Sequence, residues 1–305
     1  MSRLLQTPQL ALIVLAMASL LWGLAWLPLK YLKELGFSGV PITLFVYLVM
    51  FFVSLPFVYK FRADIIKSWP VLLGVALFGG GALFAFNTSM IYGDVIRTMV
   101  LFYMLPLWGV IGGRVFLGEK ITSLRWLGMG LSVIGAFLVV GGMNAFVSPP
   151  TWLDALALLS GFLFSMNNIV FRASSKVPVM LMLPFMFLGS VVLSFFVVIQ
   201  QQETLIPDVS VNAWLVLLGY GAIWMILANL GTQWAVTKME SGKSSIILIL
   251  ELITAVVSAN LILGETLQGL ELLGGGFILI AALLETRSQE SEVELLPQNG
   301  TKSHQ

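Results

Sequence analysis

Cysteine is absent from the 305 residues, and the one histidine, His304, is the penultimate residue. Without thiols there is no disulfide, no thiolate nucleophile and no Cys-ligated metal. A single imidazole in a polar tail removes histidine catalysis and a His-rich metal site as well. Charge is scarce: charged side chains make up 10% of the chain, 16 basic against 15 acidic, for a net +1. So small and balanced a charge leaves no electrostatic footprint for nucleic acid. Gly242-Lys243-Ser244 ends like a phosphate-binding loop, but Thr237 stands where its first glycine belongs, and no cofactor is expected.

What fills the chain is apolar. Hydrophobic residues make up 58%, and the mean hydropathy is +0.97. Runs of about 20 apolar residues, the length that crosses a bilayer core, recur from end to end. The expected fold is therefore an all-α integral membrane protein with lipid as its solvent. Ten spans are read near 10–32, 40–59, 69–90, 95–117, 124–143, 152–174, 179–199, 213–237, 243–263 and 270–285. The first is too long for a signal-peptide core and carries Trp and Pro where a cleavage site would need small residues, so it is expected to stay as a helix. Residues 144–151, with Ser148-Pro149-Pro150, form a linker between two five-span units, 1–143 and 152–285, and the polar, acidic stretch 286–305 reads as a disordered tail.

Orientation follows from Lys and Arg, which concentrate on the cytoplasmic side. With the N-terminus inside, the basic residues on the inner segments include Lys60, Arg62, Lys67, Arg114, Lys120, Arg125, Arg172 and Lys238, while only Lys30, Lys33 and Arg97 fall outside. Acids take the outer loops: Asp154, Glu203, Asp208, Glu265 and Glu271. Both termini are expected in the cytoplasm, with the protein in the inner (plasma) membrane.

The two units repeat one another. Asp94–Glu119 and Glu240–Glu265 each open on an acid, place a base three residues on (Arg97, Lys243) and then a hydroxyl (Thr98, Ser244), and close on Leu-Gly-Glu. Five spans per unit is odd, so the two copies must lie upside down relative to each other. Inverted repeats are how secondary transporters reach two mirror-related conformations around one midplane site. The doubled Leu117-Gly118-Glu119 and Leu263-Gly264-Glu265, each leading into a glycine-rich helix (Gly128, Gly130, Gly135; Gly274 to Gly276), resembles the drug/metabolite transporter superfamily, in particular its ten-helix EamA-type branch. Trp22-Gly23 followed by Lys30 is similar to the first helix of that branch. The resemblance implies a carrier of small organic metabolites working by alternating access, with amino-acid export as the expected activity, since aromatic amino-acid exporters belong to the family. Carriage of other metabolites or drugs, nucleoside-like or cationic, is the alternative. The second copy in the family usually reads Glu-Pro, whereas this chain has Glu251-Leu252; Pro106 keeps the first-copy proline, so only the fourth span is expected to kink.

One position breaks the repeat: Leu105 in the first copy is Glu251 in the second. A carboxylate at mid-bilayer is costly and must face a cavity or a partner, either a proton, a substrate ammonium or a neighbouring helix. Thr254 and Ser258 share its helix face. Trp22 and Trp26, one turn apart in mid-span, either stack on a flat substrate or pack. Asn87, Tyr103, Asn167, Asn168, Asn229 and Gln233 place polar groups inside spans, where amides line a wet cavity or join helices. These nine residues, Glu251 included, form the candidate substrate site, and Asp94/Arg97 and Glu240/Lys243 read as helix caps and local ion pairs. No deep Lys or Arg is available for a phosphorylated substrate, because Arg97, Arg114 and Lys243 sit toward helix ends. A membrane-embedded enzyme would need a nucleophile-and-base or paired-carboxylate cluster, and the sequence offers none. Proton coupling is one use for Glu251; substrate, direction and oligomeric state are not legible.

Overall fold

A computed structural model describes residues 8–118, 121–139, 150–174, 176–204, 206–236, 238, 241–266 and 269–295; for 8, 106, 233, 236, 241–246 and 285–295 it describes the backbone alone. Among the described residues the structure is helical throughout: α1 (Pro8–Gly23), α2 (Trp26–Glu34), α3 (Gly39–Lys60), α4 (Arg62–Tyr92), α5 (Val95–Phe102), α6 (Leu105–Leu117), α7 (Ser123–Val139), α8 (Trp152–Ala173), α9 (Val179–Gln200), α10 (Val211–Gly219), a π-helical turn (Tyr220–Met225), α11 (Ile226–Val236), α12 (Ser241–Leu263) and α13 (Leu270–Leu295). Seven helical runs are long and apolar enough to cross a membrane, and three shorter apolar helices, Ser123–Val139, Ile247–Leu263 and Leu270–Leu284, occupy the remaining stretches expected to span.

Two spans are broken, and proline accounts for both. Pro28 has no N–H for the Leu24 carbonyl, which accepts from Leu27 instead, so α1 gives way to α2 at Leu24–Ala25. Pro106 likewise has no N–H for the carbonyl of Phe102, and the fourth span divides at Tyr103–Met104 into α5 and α6. Its register mate α12, with Leu252 in place of proline, runs unbroken. The break in the first span was not expected from the sequence. Two boundaries also differ: α4 begins at Arg62, and α13 continues to Leu295 through Glu- and Gln-rich sequence of good helix propensity.

The conserved geometry of the two Leu-Gly-Glu copies has a plain cause. Gly118 and Gly264 both take left-handed backbone, φ 70° and 69°, and end α6 and α12. A residue with a Cβ would be strained there, and after Gly264 the turn carries Glu265 off the helix axis.

Helices of the two units pack chiefly on each other: α3 on α9, α7 on α13, α4 on α8 and α9, α1 on α11 and α12, and α8 in turn on α4 and α6. Exchanging the units maps α3–α9 and α7–α13 onto themselves, α4–α8 onto α1–α11 and α6–α8 onto α1–α12, as a two-fold relation requires. The inversion is visible at one end of the bundle. There Lys30, at the end of the first span, meets Gly93 and Glu265, and Asp154, at the start of the sixth, meets Arg97. The first span of one unit therefore ends on the face where the first span of the other begins. Backbones approach closely through glycine, since a Cβ on Gly80 would come within 2.6 Å of the Gly189 backbone, and Gly135 and Gly274 face each other in the same way. Gly130 and Gly276, expected in these packing faces, have open space beside them instead.

Candidate functional site

The carboxylate-bearing face of α12 is where the two broken spans converge. At the end of α1, a Cβ on Gly23 would lie 2.6 Å from both the Glu251 carbonyl and Thr254, so Gly23 lets the first span seat directly on α12. Across the break, the Trp26 indole N–H donates to Ser258 Oγ at 3.0 Å, and Ser258 donates to the Ala255 carbonyl at 3.2 Å. From the other side Tyr103, at the break of the fourth span, places its hydroxyl 3.1 Å from the Leu248 carbonyl and beside the Glu251 carboxylate. One phenolic proton serves two acceptors there, so Glu251 either shares Tyr103 or takes another donor. Glu251 keeps part of its surface accessible, whereas Trp26 and Tyr103 are buried. The other unit repeats the contact without the charge, with Ser165 donating to the carbonyl of Leu105, the register mate of Glu251, at 3.1 Å.

At the first break the Leu21 carbonyl loses its helical donor, because the Ala25 N–H turns to Trp22, while the Ala25 carbonyl opens α2; both meet side-chain donors on the π-helical turn. Trp224 Nε1 donates to Leu21 at 2.9 Å, and the Tyr220 hydroxyl donates to Ala25 at 3.1 Å. A buried carbonyl without a donor is costly, so Trp224 makes the broken helix tolerable inside the bundle and Tyr220 adds a tie to the start of α2. Asn229 closes the same region from within, donating to the Met225 carbonyl at 2.8 Å.

The nine candidate residues therefore divide. Trp26, Tyr103 and Glu251 meet around α12, and Trp22 packs half-buried next to them in the core. Asn87 is buried, with its side chain beside the Tyr47 hydroxyl. Asn167 is wedged between Gly79 and Met186, its amide 3.9 Å from the Met186 sulfur, which is a helix joint. Asn168, one residue on, is exposed and does not join the cluster. The side chain of Gln233 lies outside the described residues. Tyr47, Tyr220 and Trp224 were not singled out from the sequence; the available signal was a polar aromatic in one span opposite a proline in another. A cavity of about 290 Å³ lies elsewhere, with Phe78, Trp108, Gly112, Phe116 and Phe162 in its lining.

A second polar cluster closes the Lys30 end. Glu265, thrown off α12 by Gly264, accepts the backbone N–H of Val95 at 2.7 Å and of Ile96 at 3.1 Å, the first turn of α5. Lys30 lies 3.7 Å from the same carboxylate and donates to the Gly93 carbonyl at 2.8 Å. Asp94 caps α5 through the Arg97 N–H, and the Arg97 guanidinium pairs with Asp154 at 2.6 Å and Glu271 at 3.8 Å. Burial pushes the Glu265 carboxyl above its ordinary value, with the neighbouring Asp94 adding to the rise and the Ile96 N–H and Lys30 opposing it.

Fold and site together describe a helical membrane transporter built from two inverted repeats. The model of the EamA-like transporter family matches residues 9–141 and again 151–287, and the chain belongs to that family. A transporter of Archaeoglobus fulgidus, described as uncharacterized, is 21% identical over 293 residues, which cover 91% of this chain and 99% of that protein. A second from the same organism is 21% identical over 260 residues, covering 84% and 90%. One from Vibrio cholerae serotype O1 is 33% identical over 96 residues, about a third of either chain. A solved crystal structure superposes with a TM-score of 0.59 at 15% identity, covering 93% of this chain and 99% of that one, a likeness of fold.

Proposed function

We propose that this protein is an alternating-access carrier that exports amino acids, aromatic ones included, across the inner membrane with both termini in the cytoplasm. The observation that carries the reading is the Glu251 carboxylate beside the Tyr103 hydroxyl, on a helix against which the first span seats through Gly23 and Trp26. A carboxylate in such surroundings needs a cationic or proton partner, and an α-ammonium supplies one while the flanking rings accept an apolar or flat side chain. A proton on Glu251 in the absence of substrate would couple export to the proton gradient, since a carrier moves only through ligands that bind its two states differently.

The test is export and counterflow in vesicles across the amino acids, at two pH gradients, for the native chain and Glu251→Gln. The variant keeps size and hydrogen bonding, so it is expected to insert normally and to lose about 10- to 100-fold in transport rate, the range for a hydrogen bond to a charged group. Equal transport by both at every pH would remove Glu251 from the mechanism. Transport restricted to nucleoside-like or other non-amino substrates would replace the amino-acid assignment.

A further inference from the structure

The cluster at the Lys30 end lies apart from Glu251, yet it ties the two repeats together. Each of its three ion pairs, Lys30–Glu265, Arg97–Asp154 and Arg97–Glu271, crosses from one repeat to the other. Glu265 is the most committed member. Its carboxylate belongs to the second repeat, while its donors among the described residues, the N–H groups of Val95 and Ile96 and the Lys30 ammonium, belong to the first. Both N–H groups open a helix, where the backbone dipole also favours an anion. We infer that Glu265 is an ionic latch: its grip on Lys30 and on the first turn of α5 holds the outer end of the transport path shut. The inference rests on the alternating-access reading and its orientation, in which the Lys30 end faces outward.

The physical case lies in how the contacts are shared. Parting the repeats at this end breaks the carboxylate's contacts together, and the anion then regains water. The latch is therefore strong only while every donor is present. A half-buried anion that loses one partner keeps the cost of burial without the compensation, and the cheapest relief is to swing back to solvent. Lys30 is the partner whose loss should release it, because the backbone donors cannot be mutated away. Neutralising Glu265 as well removes the unpaired charge, and a glutamine oxygen can still accept from Val95 and Ile96.

The chain has no cysteine, so a reporter can be placed without background. Thr98→Cys puts a thiol one turn inward from the latched N–H groups, at a buried position. Its labelling by a membrane-impermeant maleimide would be timed from the outer face in intact cells and from the inner face in inverted vesicles, for four backgrounds: native, Lys30→Gln, Glu265→Gln and the double variant. Lys30→Gln is expected to label about tenfold faster from the outer face, between the small effect of an exposed pair and the large one of a buried pair. The double variant is expected to return to near the native rate, which a mere loss of packing at Lys30 would not do. Equal rates in all four, a rise seen only from the inner face, or a double variant as fast as Lys30→Gln would each overturn the latch. Amino-acid transport measured on the same proteins separates the claims: expected labelling without transport of any amino acid keeps the latch and sinks the substrate assignment.

Discussion

Asp94–Glu119 and Glu240–Glu265 have the same length and the same punctuation, yet one is two helices and the other is one. In the first, Pro106 withholds an N–H and the span divides, leaving Tyr103 at the break with its hydroxyl free to reach across the bundle. In the second, Leu252 lets the helix run through, and Glu251 takes the place of Leu105. The two copies are complementary because they differ: the broken one supplies the donor and the unbroken one the carboxylate. The polar contact between the copies sits in the positions where the repeat is imperfect.

The comparison is sharpest at the backbone. Tyr103 already donates to the Leu248 carbonyl, the very group that a proline at 252 would deprive of its helical N–H. Leu252→Pro should therefore be far milder than a proline elsewhere in α12. Val257→Pro, on an exposed part of the same helix, is expected to lose about 3 kcal/mol or more of stability, because no side-chain donor among the described residues meets the Ile253 carbonyl it orphans. Thermal unfolding in detergent, followed by the fraction of protein remaining monodisperse, measures both. If the two prolines cost the same, Tyr103 is not what lets a break be tolerated at this level.

A smaller effect follows from the same pair. Tyr103→Phe alone removes one acceptor's second donor and should be modest, since the Leu248 carbonyl keeps its helical bond. Combined with Leu252→Pro it leaves that carbonyl with nothing, an added penalty of about 1–3 kcal/mol. A double-mutant cycle read as melting temperature gives the coupling directly, and simple additivity would contradict the account. In the first span, whose break is served by Trp224 instead, Trp224→Phe should lose about 1 kcal/mol by freeing the Leu21 carbonyl. No change in melting temperature would mean that the carbonyl had found another donor.

The helical fold, the repeat, and the break at Pro106 were all legible, because apolar runs and a missing N–H act locally. The role of Gly118 and Gly264 was half legible: the motif was visible twice, but its left-handed turn and the sideways aim of Glu265 came from backbone geometry. What could not be read was which polar groups meet. Asn167 and Asn168 are neighbours in sequence, yet one is wedged against Gly79 and the other is exposed, because adjacent residues on a helix point about 100° apart. The break at Leu24 was missed for a related reason: Pro28 stands near the end of its span, and what makes the break bearable is Trp224, about 200 residues away.

The mildest test turns on Glu265, which lies at the end of the bundle and not inside it like Glu251. Burial raises the pKa of Glu265 in the latched form above its value in water, with Asp94 adding to the rise and Ile96 N–H, Lys30 and Val95 N–H opposing it. A raised carboxylate pKa means that the latched form binds the proton more tightly than the open, hydrated form does. Linkage then fixes the sign: the latched form gains as pH falls through the raised value and loses that gain as pH rises back through it. Acid on the outer face should therefore slow labelling of the Thr98→Cys reporter. The effect should be weak in the native chain, where Lys30 already balances the charge, and larger in Lys30→Gln, where the unpaired anion is what opens the latch. Arg97, Asp154 and Glu271 face the same end, so the control is Glu265→Gln, in which the pH dependence should vanish while those three remain. Persistence of the full pH effect in that control would assign it to one of them and not to Glu265.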